Sequence, residues 1–316
     1  MKKLRYFCET ALVAAAAWLL PRLPRAIILG LSRAIGSAAY HLDRRGRSTA
    51  LENLRVALGV DGARAATLAR GSYQNFARTF LDLFWSARLT RDNWPQFVTI
   101  HHGAEAAEAR AREVGALWVT PHFGNFELAS LFWGFRDFQF TVVAQDFKNP
   151  ALTGLFKRLR EHSGHTVISQ QGAMLRLMKT LKRRGHAALL TDLTVDPGRT
   201  AAAIDCFGLK TCVTTLHVQL ARRLGLAIIP GVCLPLPDGR YEVHVFEAIE
   251  PQPEQSDREV AQRVWDHFER AIREHPQAWL WMYKHWRYQP ALGRDPAYPA
   301  YARVSGAFLD LLKAQA

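Results

Sequence analysis

Between Phe97 and Glu274 short apolar runs alternate with longer stretches of helical periodicity, and this alternation limits the possible folds more than any other feature of the chain. Runs at 97–101, 116–120, 139–144, 165–168, 186–191, 226–233 and 241–247 predict strands. Segments near 126–134, 151–162, 172–184, 213–224 and 257–274 predict helices, and an Ala/Glu/Arg-rich helix ends near Glu113. Alternation at this spacing predicts an α/β fold with a largely parallel central sheet and helical cover. Pro237-Asp238-Gly239 predicts a turn between the last two strands. Residues 46–90 read as helical, with Leu51, Leu54 and Leu58 on one face and a stripe of Phe76, Phe80 and Phe84. The 193–203 segment, with Asp196-Pro197-Gly198, predicts a loop bordering the site. No repeat, low-complexity tract or interdomain linker interrupts the chain.

The N-terminus differs in character. Lys2, Lys3 and Arg5 precede an uninterrupted apolar run from Ala11 to Leu20, which Pro21 ends. That run is about half of the ~20 residues needed to span a bilayer. A second apolar stretch from Ala26 to Tyr40 is broken by Arg33. A cleaved signal peptide is disfavoured, because Leu23-Pro24-Arg25 is a poor small-residue cleavage site. A kinked spanning helix, an interfacial anchor and a pair of ordinary buried helices are the remaining readings. The anchor fits best: apolar faces dip into lipid while arginines reach the headgroups. Residues 1–45 are therefore read as a membrane-anchoring helical region and 46–316 as the main domain. The flanking basic residues favour a cytoplasmic face.

The segment Thr120-Pro121-His122-Phe123-Gly124-Asn125-Phe126-Glu127 carries the most chemistry. It delivers a histidine from a strand end into a glycine-containing turn, with a glutamate five residues later. An imidazole with a pKa near 6.5 is an effective base at neutral pH. A carboxylate on its other ring nitrogen would fix the tautomer, the role assigned here to Glu127. Positions five apart on a regular helix lie about 140° out of phase, so Gly124-Asn125 must turn the chain for the two to meet. Peptide N–H groups in that turn are candidate oxyanion donors. The bland reading of His122 is a satisfied core histidine at a strand end.

Thr120 to Glu127 resembles the signature of the bacterial lipid A biosynthesis acyltransferases, within the glycerolipid acyltransferase superfamily with its His-x4-acid motif. Further blocks are similar and occur in the expected order. They are Arg44-Arg45-Gly46-Arg47 to Glu52-Asn53-Leu54, Lys148-Asn149-Pro150 with Arg158 and Arg160, Leu190-Thr191-Asp192, Cys206-Phe207-Gly208, and His275-Pro276-Gln277-Ala278-Trp279-Leu280-Trp281-Met282. The chain departs from the family pattern at Leu193, where the family usually has Gln, and at Cys206, where it has an aromatic.

The resemblance implies a glycerolipid acyltransferase-like fold and an O-acyltransferase of the inner membrane's cytoplasmic face. Its donor would be an acyl carrier protein thioester, its acceptor a hydroxyl of a lipid A precursor, and it would need no cofactor. It places His122 and Glu127 in the catalytic role and Gly124, Asn125, Lys148, Asn149, Arg158, Arg160, Asp192, Phe207 and Gly208 at the substrate. Asp192 would orient an arginine or the acceptor, and the phenylalanine stripe is either core or acyl-chain wall. Trp279, Trp281 and Trp286 are read as packing around the C-terminal helix, although tryptophan also suits a membrane interface. The same chemistry on a lysophospholipid or another glycolipid, a thioesterase, and a non-catalytic lipid-binding protein stay open as alternatives.

Charge and cysteine usage agree with that expectation. Lys+Arg total 41 against 28 Asp+Glu, a formal net charge of +13. Such a surface suits an acidic carrier protein, a phosphorylated lipid or an anionic membrane face. The basic residues are dispersed and no nucleic-acid reading motif is present, so nucleic acid is set aside. Cys8, Cys206, Cys212 and Cys233 form no Cys-x-x-Cys pair and read as reduced packing residues. No metal is expected: His101-His102 stands at a strand end without partners at ligand spacing.

Overall fold

A computed structural model describes residues 2–103, 105–198, 200–291 and 297–315. In chain order the elements are α1 (Lys2–Leu19), α2 (Arg25–Leu42), α3 (Arg44–Leu58), α4 (Gly62–Trp85), β1 (Val98–His101), α5 (Glu105–Val114), β2 (Ala116–Thr120), α6 (Phe126–Phe135), β3 (Phe140–Ala144), α7 (Pro150–Glu161) and β4 (Thr166–Ser169). There follow α8 (Ala173–Lys182), β5 (His186–Leu190), β6 (Ala201–Cys206), β7 (Leu209–Thr214), α9 (Leu216–Leu224), β8 (Ile228–Pro235), β9 (Tyr241–Val245), α10 (Asp257–Glu274), β10 (Tyr288–Gln289), β11 (Arg303–Val304) and α11 (Gly306–Ala314).

The central sheet has seven strands in the order β1-β9-β8-β2-β5-β3-β4. All neighbours pair in parallel except β8 and β9, which the Pro237–Gly239 turn joins as an antiparallel hairpin. The seven strands expected from the alternation are therefore the seven of this sheet. β2 sits at its centre and is buried along Ala116–Val119, as a strand covered on both faces must be. One apolar layer, with Trp118, Leu128, Phe132, Phe156 and Tyr241, lies under α6, α7 and the end of α4. The other, with Leu117, Val119, Val218, Val264 and Phe268, lies under α9 and α10.

Two differences from expectation stand out. The loop expected at 193–203 ends earlier: β6 and β7 form a separate antiparallel hairpin, and β7 takes the residues assigned to the start of the next helix. The Ala201–Ala203 run hid a strand, because alanine is a poor strand signal. The hairpin turns at Phe207-Gly208, both at positive φ, as a two-residue turn with matching twist requires.

At the N-terminus, α1 and α2 are 18-residue amphipathic helices joined by a turn at Leu20–Arg22. No helix among the described residues is long and apolar enough to cross a membrane. Ile28 and Ser32 of α2 are buried against the body, and Arg25 bonds to Asp82 of α4 and to the Gly239 carbonyl. Leu4, Phe7, Leu12 and Trp18 of α1, and Ile27, Leu31 and Ile35 of α2, are left exposed.

Candidate active site

The parallel pairing of β2 with β5 ends at Thr120 beside Leu190, so Pro121-His122 and Thr191-Asp192 leave the sheet side by side. His122 Nδ1 lies 2.8 Å from Asp192 Oδ1, and the His122 amide donates to Asp192 Oδ2 at 3.0 Å. The carboxylate thus fixes ring and backbone together. Its Oδ2 also accepts from Trp279 Nε1 at 2.9 Å, and the Asp192 side chain is fully buried. His285 stacks on Trp279 with ring centroids 3.9 Å apart. With Nδ1 occupied, Nε2 is left to act on a substrate.

The electrostatics follow. Burial disfavours the imidazolium, but the Asp192 charge and hydrogen bond, with a smaller contribution from Glu127, outweigh it and raise the His122 pKa above 6.5. Burial likewise pushes the Asp192 carboxyl up, yet His122 and the Trp279 N–H bring it down to about 2. The pair is a base made more basic by an adjacent, permanently ionised carboxylate.

A family model described as bacterial lipid A biosynthesis acyltransferase matches residues 1–288. The chain belongs to that family. Among its relatives, a phosphatidylinositol mannoside acyltransferase of Mycobacterium tuberculosis (strain ATCC 25618 / H37Rv) is 26% identical over 86% of this chain and 87% of its own length. One from Mycolicibacterium smegmatis is 26% identical over 88% of this chain and 91% of its own. Among solved structures, the 1-acyl-sn-glycerophosphate (LPA) acyltransferase PlsC of Thermotoga maritima matches 79% of this chain and 97% of its own, at 15% identity and a TM-score of 0.35.

In this acyltransferase the expected partnership of Glu127 with the His122 ring is replaced. Glu127 sits in the first turn of α6, where Arg160 of α7 grips it: Arg160 Nε is 2.9 Å from Oε2 and an Nη is 2.6 Å from Oε1. The fork geometry of guanidinium explains why Arg160 takes the carboxylate in two bonds. Glu127 is thus engaged by Arg160, and His122 Nδ1 is occupied by Asp192. The expected role of Asp192 toward an arginine or the acceptor is corrected in the same way: its two oxygens are taken by His122 and Trp279.

The turn itself is a structural keystone. Gly124 has φ +58°, and a Cβ there would stand 1.8 Å from the Cys233 carbonyl oxygen, so no other residue fits. Its carbonyl accepts from Asn75 and Thr79 of α4 at 3.0 and 2.8 Å. The Gly124 and Asn125 amides donate to the carbonyls of Ala278 and Cys233, each at 2.8 Å. Both N–H groups are committed to the fold, which removes them as the oxyanion donors expected from the sequence. The Asn125 side chain caps α6 through the Leu128 amide and donates to Asp82 Oδ2 at 2.9 Å.

The remaining candidates divide. Arg160 lines a cavity of about 250 Å³ with Phe147, Phe156, Lys157, Ser169 and Arg176, and His122 is not part of that lining. Lys148 is exposed. Asn149 is buried, caps α7 and donates to the Tyr6 carbonyl and Thr10 of α1, so it ties helices together. Arg158 faces α1 across a second cavity with Ala14, Ala17 and Trp18. Phe207 is buried among Trp265, Trp279, Trp281 and Trp286, and Gly208 completes its hairpin turn. These two are correspondingly architectural, holding the tryptophan cluster behind Asp192. Trp279 is the contributor to the site that sequence reasoning missed; the His-Pro-x-x-Trp block was its only signal. Of the phenylalanine stripe, Phe84 is core, while Phe76 and Phe80 stay partly exposed, Phe80 against Phe156.

Proposed function

We propose that this acyltransferase moves a fatty acyl chain from an acyl carrier protein thioester to a hydroxyl of an anionic glycolipid at a membrane surface. The His122–Asp192 contact of 2.8 Å is the observation that carries this reading. His122 Nε2 takes the acceptor hydroxyl proton as the oxygen attacks the thioester carbonyl. Asp192 stabilises the imidazolium that results. Collapse of the tetrahedral intermediate breaks the carbon–sulfur bond, and His122 returns the proton to the departing thiolate, leaving an ester and a free thiol.

Direct transfer is preferred over an acyl-enzyme. Burial pushes the Cys212 thiol up to about 12, and raises Cys206 and Cys233 as well, so none of these three is poised as a thiolate nucleophile. Lys157, Arg160 and Arg176 around the cavity suit a phosphorylated headgroup, and the exposed faces of Phe76, Phe80 and Phe147 suit an acyl chain. A lipid A precursor is the first acceptor by family. The mycobacterial relatives favour a second reading, a phosphatidylinositol mannoside.

Mass spectrometry of lipid products tests this. Purified protein is incubated with acyl carrier protein thioesters and, separately, each of the two glycolipids, with His122→Ala as control. A glycolipid heavier by one acyl chain, absent in the control, is expected and identifies the acceptor. Free fatty acid released without an acylated lipid would sink the transferase reading in favour of a hydrolase.

We place the enzyme on the cytoplasmic face of the inner membrane, held by the exposed apolar faces of α1 and α2. Phe7 is 70% and Leu12 73% exposed on α1, and neither packs on the body. Burying such a side chain in lipid is worth about 1.5–3 kcal/mol. Replacing Phe7 and Leu12 together by Glu is expected to reduce binding to anionic vesicles at least ~100-fold by sedimentation, since each ~1.4 kcal/mol is a tenfold change. Unchanged sedimentation would remove the anchor.

A further inference from the structure

On the face of the sheet turned away from α6, two strands bring together three side chains that the acyl transfer does not use. The register of β1 against β9 sets His101 directly opposite His244 and Thr99 opposite Glu242. Residues two apart on a strand share a face, so His101, Glu242 and His244 all project to the same side, opposite to Tyr241, Val243 and Val245 in the apolar layer. The two imidazoles stack, with centroids 4.6 Å apart and planes 15° apart. The Glu242 carboxylate reaches each of them with a different oxygen: Oε1 is 3.8 Å from His101 Nε2, and Oε2 is 3.4 Å from His244 Nε2.

These are ion-pair distances without hydrogen-bond geometry. His244 Nε2 is buried and makes no hydrogen bond among the described residues. A buried ring nitrogen without a partner loses solvation for nothing in return. An imidazole nitrogen left in this way has a lone pair or a proton to offer, and as the neutral ring it is a metal ligand.

We propose that His101, Glu242 and His244 form a binding site for a divalent transition metal of the zinc class. The three donor atoms lie within 4.8 Å of one another. Tetrahedral ligands held at ~2.0–2.2 Å from zinc sit ~3.4 Å apart, so the set closes when side-chain rotation opens the imidazole stack and turns both ring nitrogens toward one ion. Two imidazoles and one carboxylate suit zinc, cobalt or nickel and leave a fourth position for water; calcium and magnesium would want more oxygen ligands. β1 is the sheet's edge strand, and a metal here would cross-link it to β9. The site was invisible at sequence level because His101 finds its partners through strand register, across a separation in sequence far beyond any local ligand spacing.

The test uses the full-length protein, stripped with a chelator and titrated with Zn²⁺ against a chromophoric competitor, and with Co²⁺ monitored by visible absorption. One equivalent of tight Zn²⁺ and a four-coordinate Co²⁺ spectrum are expected. His101→Gln alters a half-exposed side chain and should leave the circular dichroism unchanged. It should weaken Zn²⁺ binding by more than the ~10–100-fold typical of losing an outer partner of a metal ligand, as should His244→Gln. Absence of a stoichiometric site in the wild type overturns the proposal. So does a site that survives His101→Gln and disappears in His122→Ala, since the metal would then be at the acyl-transfer centre.

Discussion

Asp192→Asn should abolish acyl transfer almost as completely as His122→Ala, lowering kcat/KM by about 10²–10⁴-fold, the usual worth of a positioned acid–base group. Asparagine keeps the size of the side chain but not its charge. It cannot stabilise an imidazolium, and its amide would press the ring toward the wrong tautomer. The double variant should be little worse than either single one, because the two residues act as a unit. The pH profile separates this role from simple structural support. Activity needs neutral His122, so it falls as pH drops through the His122 pKa, which the Asp192 carboxylate holds above 6.5 against burial. With the carboxylate removed, burial dominates, and the residual acid limb should move to lower pH. Glu127→Gln should cost less and leave the limb nearly in place, because Arg160 already holds that carboxylate. Full activity in Asp192→Asn together with loss in Glu127→Gln would reverse the assignment and restore the partnership the His-x4-Glu spacing suggests.

Asp82→Ala is expected to be the most destabilising single replacement outside the apolar core, by about 3–5 kcal/mol, the cost of stripping one partner from a buried ion pair. Asp82 is fully buried and is shared by Arg25, Arg78, Asn125 and Tyr241. Alanine leaves the Arg25 and Arg78 guanidiniums, 15% and 11% exposed, without their counter-charge. It also frees the side chain that caps α6 beside the catalytic turn. Chemical denaturation should show a large fall in midpoint, with Asp82→Asn intermediate because it retains acceptors. By contrast, Asp137→Ala breaks a pair with Arg91 that is 62% and 58% exposed, and should change the midpoint little. Equal effects from the two variants would mean that the Asp82 network contributes no more than a surface pair.

The alternation of apolar runs revealed the central sheet because parallel strands covered on both faces are largely apolar, and the run at 116–120, buried along Ala116–Val119, is of that kind. The base was legible for a related reason: the strand end, the proline and the glycine mark where a chain leaves a sheet. Its partner was not. The Asp192 contact depends on β5 lying next to β2, and strand order is set by packing across the whole sheet rather than by local sequence. Glu127, near in sequence, was the natural choice, but the start of α6 aims it at α7. In Phe207 and Gly208 a motif match does not distinguish a substrate-binding pair from a turn-forming one; their positive φ values belong to a turn. Asn149 shows the same ambiguity, since a capping residue and a ligand-binding residue look alike in one dimension.

The catalytic turn also dictates when activity can first appear during synthesis. Its bonds join residues 49 apart at Asn75–Gly124, 70 apart at His122–Asp192 and 87 apart at Asp192–Trp279, and Asn75 also reaches Ala278 across 203 residues. Closures over such distances form slowly and lend little support to early intermediates. A ribosome-bound chain that has exposed β2 and β5 would hold the histidine and the aspartate without the tryptophan that braces them. The base is finished only after the Ala278–Trp279 segment has emerged and docked, so α1 and α2 have left the ribosome long before the enzyme can act.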